Sequence, residues 1–508
     1  MKKVTGLVIL LVVLLFGSYF ATGIITERTV KNNLSVVNHS NGLYAEVVSY
    51  KRGWFQSQAL LDWSINVPAR EITNANGQAE KIPAQSYQIE MPLVIYHGPI
   101  IFSNVGVMFG LGYAHTDLNL PIKVAEQFDA YFKKGSTKPA MAISLFVNYL
   151  NDTQVNINIP EFNLAAKQGN MEFNWQGMSS KVKTTASLSK VGGSFDIQGF
   201  GYLQNQVQLT VGDISGTYNL HKTDSGLFYG DAATQIPSVL IKNLQDKIFE
   251  LTDFSIDTRT DVESNLFNSY LTSSMKELFF NGRVFGPAQF EIAIKNLDAQ
   301  VLAQINDVVS KAQQGTDTDK QQAIFSILPQ LPRLFAQGAV IDMSKLSLVV
   351  PEGEVAADFN VSLPKGPFSN PFELIQKITG KGTLKLPAGL LKGMMAHSVK
   401  QKLMSQVSSN ADVGNTSSTG VAATGASAAV ASNNKTDSAT KADGNATSVT
   451  SLDDMDKQVS SETDREINHM LQSGLLVQQG ADYVVTIQLI QGQFVVNNKP
   501  FTPAMLKV

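Results

Sequence analysis

Period-two alternation of apolar and polar residues runs through most of this chain and decides the class of fold open to it. Leu61, Trp63, Ile65 and Val67 alternate with Asp62, Ser64 and Asn66. Tyr87, Ile89, Met91, Leu93 and Ile95 share one parity, with Gln88 and Glu90 on the other. The pattern returns at Val155–Ile159, at Phe195 and Ile197 continuing to Leu203, at Val207–Val211, at Phe290–Ile294 and at Val355–Leu363. Successive side chains of a strand point to opposite faces, so each segment has one apolar and one polar face. Parallel strands covered on both faces read as continuous apolar runs, so the expectation is antiparallel sheet covered on one side.

Turn chemistry agrees with that reading. Pro351-Glu-Gly353 separates Leu346–Val350 from Val355–Leu363 as a hairpin would. Gly192-Gly193 and Leu203-Gln-Asn-Gln206 are expected to punctuate the middle meander. Helices are expected between the sheet blocks. Thr260-x-x-Glu263 reads as a capping box opening a helix over Val262–Phe280, closed by Asn281-Gly282. Asn370-Pro371 reads as a cap and N1 proline before Phe372–Thr379, which Gly380 stops. Pro387 opens a helix carrying Leu390, Leu391, Met394, Met395, Val399 and Leu403, and a last helix is expected over about Asp454–Gln479. The fold class is α+β, predominantly antiparallel β, with an elongated or curled sheet body and inserted amphipathic helices.

The N-terminus is of another kind. Lys2 and Lys3 precede an uncharged run from Val4 to Ile25. As a helix, about 22 residues at ~1.5 Å each cover roughly 33 Å, enough for a hydrocarbon core of ~30 Å. The run exceeds a signal-peptide core, and Tyr19 and Phe20 stand where small residues precede a cleavage site. Ala21-Thr-Gly23 is the alternative, a cleaved leader. The expected organisation is a cytoplasmic stub (1–3), a transmembrane signal anchor (4–25) and a β-rich body outside the cytoplasm (26–407). A Ser/Thr/Ala/Asn/Gly-rich stretch (408–450) holds almost no large apolar side chain and is expected to be disordered. A terminal helix and strand (451–508) have no core of their own and are expected to dock back on the body.

Composition narrows the function classes. There is no cysteine, which removes disulfides, thiol nucleophiles and cysteine metal sites. A net charge of -3 carries no basic footprint for nucleic acid. No His-Glu-x-x-His, Gly-x-Ser-x-Gly or complete phosphate-loop motif occurs, and Gly380-Lys-Gly-Thr383 lacks the upstream glycine. Ser187-Leu-Ser-Lys190 matches Ser-x-x-Lys in a strand-like region, where i and i+3 face apart. Asp317-Thr-Asp319 reads as the start of a helix rather than a calcium loop. The six histidines are scattered. His115-Thr-Asp117 reads as a surface or turn segment, and His97-Gly-Pro99 as a turn after a strand ending at Tyr96. Tyr50-Lys-Arg-Gly-Trp-Phe55 reads as a hairpin in which Gly53 turns and Trp54 and Phe55 plug the core; the alternative is an aromatic and basic contact with lipid headgroups or a partner. No catalytic, cofactor-binding or metal-binding residue is assigned, and no cofactor is expected.

The anchor, the segment Tyr50-Lys-Arg-Gly-Trp-Phe-Gln-Ser57, His97-Gly-Pro99 and the tail Tyr483–Pro500 together resemble the YdgA-like family of bacterial envelope proteins. The tail departs at Asn498, where a glycine before Lys499 is the family pattern. The resemblance implies a single-pass Gram-negative inner-membrane protein with its bulk in the periplasm, and it supplies no catalytic residues. The expected function is non-enzymatic: a membrane-anchored envelope protein that binds or guides lipid along an apolar β groove. The alternative is a periplasmic scaffold or adaptor for other envelope proteins. The expected partners are the membrane and either lipid or an envelope protein, not nucleic acid.

Overall fold

A computed structural model describes residues 17–28, 30–31, 43–67, 70–73, 79–120, 122–313, 317–413 and 452–502. Most of the apolar N-terminal run, most of the Ser/Thr-rich stretch and His39 lie outside the described residues. Among the described residues no helix is long and apolar enough to cross a membrane. The chain divides into two compact units, one of Met1–Pro351, Val355–Gly382 and Gln488–Gln493, the other of Glu352–Glu354, Thr383–Ile487 and Phe494–Val508.

The first unit is an antiparallel meander, as the alternation predicts. Leu43–Lys51, Gln56–Val67, Gln85–His97, Gly112–Asn119, Ala140–Val147 and Thr153–Ile159 lie side by side in chain order. From there the strands lengthen, and turns recur at a nearly even interval, at 166–170, 185–189, 205–206, 223–227, 244–245, 264–265 and 281–282. Phe228–Asn243 and Asp246–Glu263 are the longest strands. The shorter ones continue each other in line across a break of two residues: Thr153–Ile159 into Phe162–Ala165, Met171–Trp175 into Met178–Thr184, Lys190–Ile197 into Phe200–Gln204. The breaks stand at one level across the sheet and form a crease. Gly177 and Gly199 hold φ of 127° and 111° there, a region open to glycine and costly for other residues. Ladder bonds persist across it, Gln176 N–H to Gly199 O (3.1 Å) and Gln198 N–H to Gly177 O (2.9 Å).

Several local expectations are overturned. Val262–Phe280 is not a helix: it completes Asp246–Glu263 and forms Leu266–Met275 and Glu277–Phe280. Ser264 and Asn265 both hold positive φ (51° and 63°), making the tight reverse turn that right-twisted hairpins favour. Each strand here has a partner on either side, so non-local pairing outweighs the capping signal. Gly192 and Gly193 lie inside Lys190–Ile197 and make no turn; a Cβ on Gly193 would stand 2.5 Å from both the Lys181 carbonyl and the Tyr218 hydroxyl. Phe195 and Ile197 do not run on unbroken to Leu203, because Gln198-Gly199 is the crease. His115 lies within the strand Gly112–Asn119 rather than in a turn, and Gly380 lies inside the strand Thr379–Pro387 rather than capping a helix.

Other local readings hold. Asn370 caps Pro371–Lys377 by accepting from Phe372 N–H (2.9 Å) and Glu373 N–H (3.1 Å). Asp317–Ile327 is a helix. Residues 351–352 turn between Val340–Val350 and Gly353–Ser362.

Burial in the first unit concentrates near its two ends. One cluster joins Ala59, Leu61, Ile95 and Ala114; the other joins Leu297, Val301, Leu334 and Ala339, with Val301 on the helix Ala299–Gln313. In the second unit Ala388–Val413 and Leu452–Ser473 run antiparallel, tied by Lys392–Asp464 (2.7 Å) and Lys400–Asp456 (3.2 Å). Val399, Val459 and Ile467 are buried. The last helix ends at Ser473, short of the expected boundary, and Val477–Gln479 is a strand paired with Asp482–Ile490. Ala388–Val413 continues past residue 408, into the stretch expected to be disordered.

Candidate functional site

Two arrangements in the first unit carry functional information. The first is a socket for the N-terminal helix. Residues 17–28 and 30–31 are helical, and two of the segments behind the family resemblance, Tyr50–Ser57 and His97–Pro99, converge on them. Tyr19 is almost fully buried, its hydroxyl donating to the Ile100 carbonyl and its ring meeting Phe55 edge-on at 4.7 Å. Phe20 meets Trp54 at 5.9 Å, with the Arg52 guanidinium 5.2 Å from its ring centre. Glu27 pairs with Lys31 (2.8 Å) and Arg52 (3.4 Å). The Lys31 ammonium also lies 5.8 Å from the Tyr50 ring centre. Trp54 and Phe55 therefore do not plug the sheet core. They are exposed on the hairpin tip and meet the helix instead.

Beneath the helix, the fully buried Ser57 and His97 share a 2.9 Å hydrogen bond through Nε2. A Ser–His contact of this length is the geometry of an activated nucleophile, but this one lacks the remaining parts. Among the described residues no carboxylate orients the ring, and Nδ1 makes no hydrogen bond of good geometry, although the Tyr19 carbonyl is near enough to favour the protonated ring. A Cβ on Gly23 would stand 2.8 Å from His97 Cε1, so the helix backbone rests on the imidazole and closes off any substrate. The pair is a structural seat for the helix.

Burial lowers the His97 pKa from its ordinary value, the Arg52 charge adding to this and the Tyr19 carbonyl opposing it. A seated helix thus resists ring protonation, while an unseated one lets the ring titrate near its ordinary value of about 6.5. The unseated state takes up more protons below that pH, so seating is complete above about 6.5 and weakens as pH falls through it. Protease cleavage after Arg28 or Lys31 is expected to accelerate on acidification in the native protein and to lose that pH dependence in His97→Gln. Equal pH dependence in both would remove His97 as the cause.

The second arrangement is an apolar face of the sheet. Directly paired residues of antiparallel strands point to the same side, so register traces rows across the meander. One row runs Phe162, Trp175, Phe200, Val211, Val239, Leu251, Leu278 and Phe285, apolar at all eight strands. Its same-face neighbour runs Leu164, Phe173, Tyr202, Leu209, Ile241, Phe249 and Phe280. At ~4.8 Å per strand the longer row spans roughly 34 Å. Ring centres of Trp175 and Phe200 lie 6.2 Å apart, and those of Phe162 and Phe173 5.8 Å. Of these side chains only Val211 is fully buried; the others are half-buried, and Phe280 is exposed. Neither core cluster includes any of them.

Beyond the crease the apolar rows are interrupted: Leu145, Val155, Val182 and Tyr218 are broken by Gly193, and Ile143, Ile157, Phe195, Ile256 and Phe290, all half-buried, are separated by Ser180, Gly216, Thr234 and Ser273. The opposite face there is polar and exposed, with Lys181, Ser194, Thr217, Asp257 and Thr272 in one row. A cleft of ≈ 610 Å³ on that side is lined by Thr217, Asn219, Asp231, Asp257, Arg259 and Tyr270. In it Arg259 lies 5.6 Å from the Tyr270 ring centre.

The remaining sequence candidates stay apart. His115 stacks on Tyr96 and Tyr113, both at 5.9 Å. Ser187 bonds Ser189 (2.9 Å) in the 185–189 turn. Among the described residues no group of three or more His, Asp or Glu side chains could hold a metal ion.

A family model described as "Bacterial protein of unknown function (DUF945)" matches residues 1–504, and the chain belongs to that family. No curated protein matches it, and no solved structure does.

Proposed function

We propose that this DUF945 chain is a membrane-anchored envelope protein whose first unit holds lipid acyl chains against the apolar face of its sheet. One observation carries the reading: the unbroken apolar row from Phe162 to Phe285, with its neighbour, is half-buried rather than sealed in a core. A soluble chain rarely leaves so large a contiguous apolar surface without a partner. Acyl chains suit it. Each CH₂ removed from water contributes about 0.8 kcal/mol without directional bonds, and the row offers aromatic and aliphatic side chains rather than hydrogen-bonding groups. The uncharged run Val4–Ile25 is the anchor, and the likeness of Tyr50–Ser57 and the tail to YdgA-like proteins supports an inner-membrane position with the body in the periplasm. The role is one of binding and guiding, not of catalysis.

Trp175 lies within the row, and the two other tryptophans are Trp54 and Trp63. With those two replaced by phenylalanine, Trp175 fluorescence should be quenched by phospholipids brominated along the acyl chain and much less by lipids brominated at the headgroup. Indifference of Trp175 to both, together with a stoichiometric co-purifying envelope protein, would favour the scaffold reading.

A further inference from the structure

The N-terminal helix meets the first unit at one end of its sheet, and that end is apolar. Gln56 pairs with Tyr96, His97 with Gly112, and Gly112 with Val147. These registers bring the 52–55 turn, the Ile100–Ser103/Gly106–Phe109 hairpin and the 148–152 loop to the same end. Their large side chains point into solvent: Trp54 (59% exposed), Phe102 (63%), Val105 (64%), Val107 (58%), Phe109 (65%) and Leu150 (80%). The helix runs away from this end, since Tyr19 meets Phe55 while Lys31 reaches Tyr50. Residue 17, where the described helix begins, therefore lies on the side of the tip of the sheet, and residues 4–16 are uncharged.

We propose that this end of the first unit is seated in the lipid interface, with the 100–109 hairpin and the Trp54 turn inserted among headgroups and upper acyl chains. The inference rests on the anchored reading above and adds the orientation of the body. Length gives an independent argument. Tyr19 is docked on protein, so residues 4–18 remain to cross the bilayer. As a helix they would cover roughly 22 Å of a hydrocarbon core of ~30 Å. Inserted apolar tips beside a short span relieve such a mismatch, because they occupy the interface that the helix does not reach. An exposed tryptophan such as Trp54 suits the headgroup region.

The chain has no cysteine, so single labels are clean. The full-length protein, with Val105→Cys or Leu150→Cys carrying a nitroxide, would be reconstituted into vesicles of phosphatidylethanolamine and phosphatidylglycerol. Collision with oxygen, which partitions into lipid, would be compared with that of a water-soluble nickel chelate. Gln206→Cys, in a turn at the far end of the strands, sets the aqueous value, and Leu10→Cys reports on the span. The expected result is an oxygen-to-nickel ratio several-fold higher at 105 and 150 than at 206. Aqueous values at both tip sites with a lipid value at Leu10 would overturn the seating and leave the anchor standing. Aqueous values at the tips and at Leu10 would overturn both.

Discussion

Replacing Gly98 with valine should release the N-terminal helix from the body while the rest of the sheet stays folded. Gly98 holds φ 131°, and a Cβ there would stand 1.9 Å from Tyr19 Cε1. Tyr19 cannot move aside in place, because its ring is packed on Phe55 and its hydroxyl bonds the Ile100 carbonyl. Two costs combine: a strained backbone for a β-branched residue, about 1–3 kcal/mol, and loss of the burial of a large aromatic, about 2–3 kcal/mol. Either approaches the whole stability of a short docked helix. The readout is trypsin on vesicles bearing the full chain. Cleavage after Arg28 or Lys31, followed by the mass of the cleaved body, should run at least about tenfold faster than in the native protein, the factor that ~1.4 kcal/mol gives. Tyr19→Ala removes the same contact from the helix side without straining residue 98, so it separates release from misfolding. Native cleavage rates in both variants would mean that this socket does not hold the anchor.

Phe200→Asp should abolish the lipid response of Trp175. Phe200 pairs with Trp175 on one side and Val211 on the other, near the start of the apolar row. Its side chain is half-buried, so a carboxylate there can reach water in the empty protein and the fold should survive. An acyl chain laid along the row would strip that water, and an unpaired charge in such a setting costs several kcal/mol. The expected effect is a loss of at least about 100-fold in apparent affinity for brominated phospholipid, the equivalent of ~2.7 kcal/mol. Thr217→Asp, on the polar exposed face, should leave quenching unchanged. Equal loss in both variants would point to a global effect, and unchanged quenching in Phe200→Asp would place lipid elsewhere.

Both predictions depend on features of different legibility. The Asn370 cap and the strands Gln56–Val67 and Gln85–His97 follow from short-range signals, alternation and capping chemistry, that act within a few residues. Val262–Phe280 was misleading because Leu266, Tyr270 and Phe267, Leu271 satisfy a helical spacing as well as a strand one. Only the neighbouring strands, with Leu271 facing Thr258 on one side and Ile292 on the other, decide between them. The even spacing of turns was a signal available in the sequence, carried by Asn205, Asn265 and Asn281-Gly282, all at positive φ. Trp54 and Phe55 look like core residues by type, but the rings they meet are Phe20 and Tyr19, about 35 residues upstream, which no local pattern reports.

By itself the sequence determined that the chain would build antiparallel sheet with one apolar face, because the two-residue repeat of a strand fixes side-chain direction whatever surrounds it. It also determined that the run Val4–Ile25 is uncharged and that the chemistry is non-thiol. Whether a core cluster of buried residues forms on that face was decided only by the tertiary structure. A closed core and an open face require the same alternation, and register alone sets Phe162, Trp175 and Phe200 in one line with no buried cluster upon them. The socket arose in the same way. Tyr19, Gly23, Ser57, His97 and Gly98 are far apart in the chain, and they meet because antiparallel pairing brings the ends of four strands together where the helix arrives.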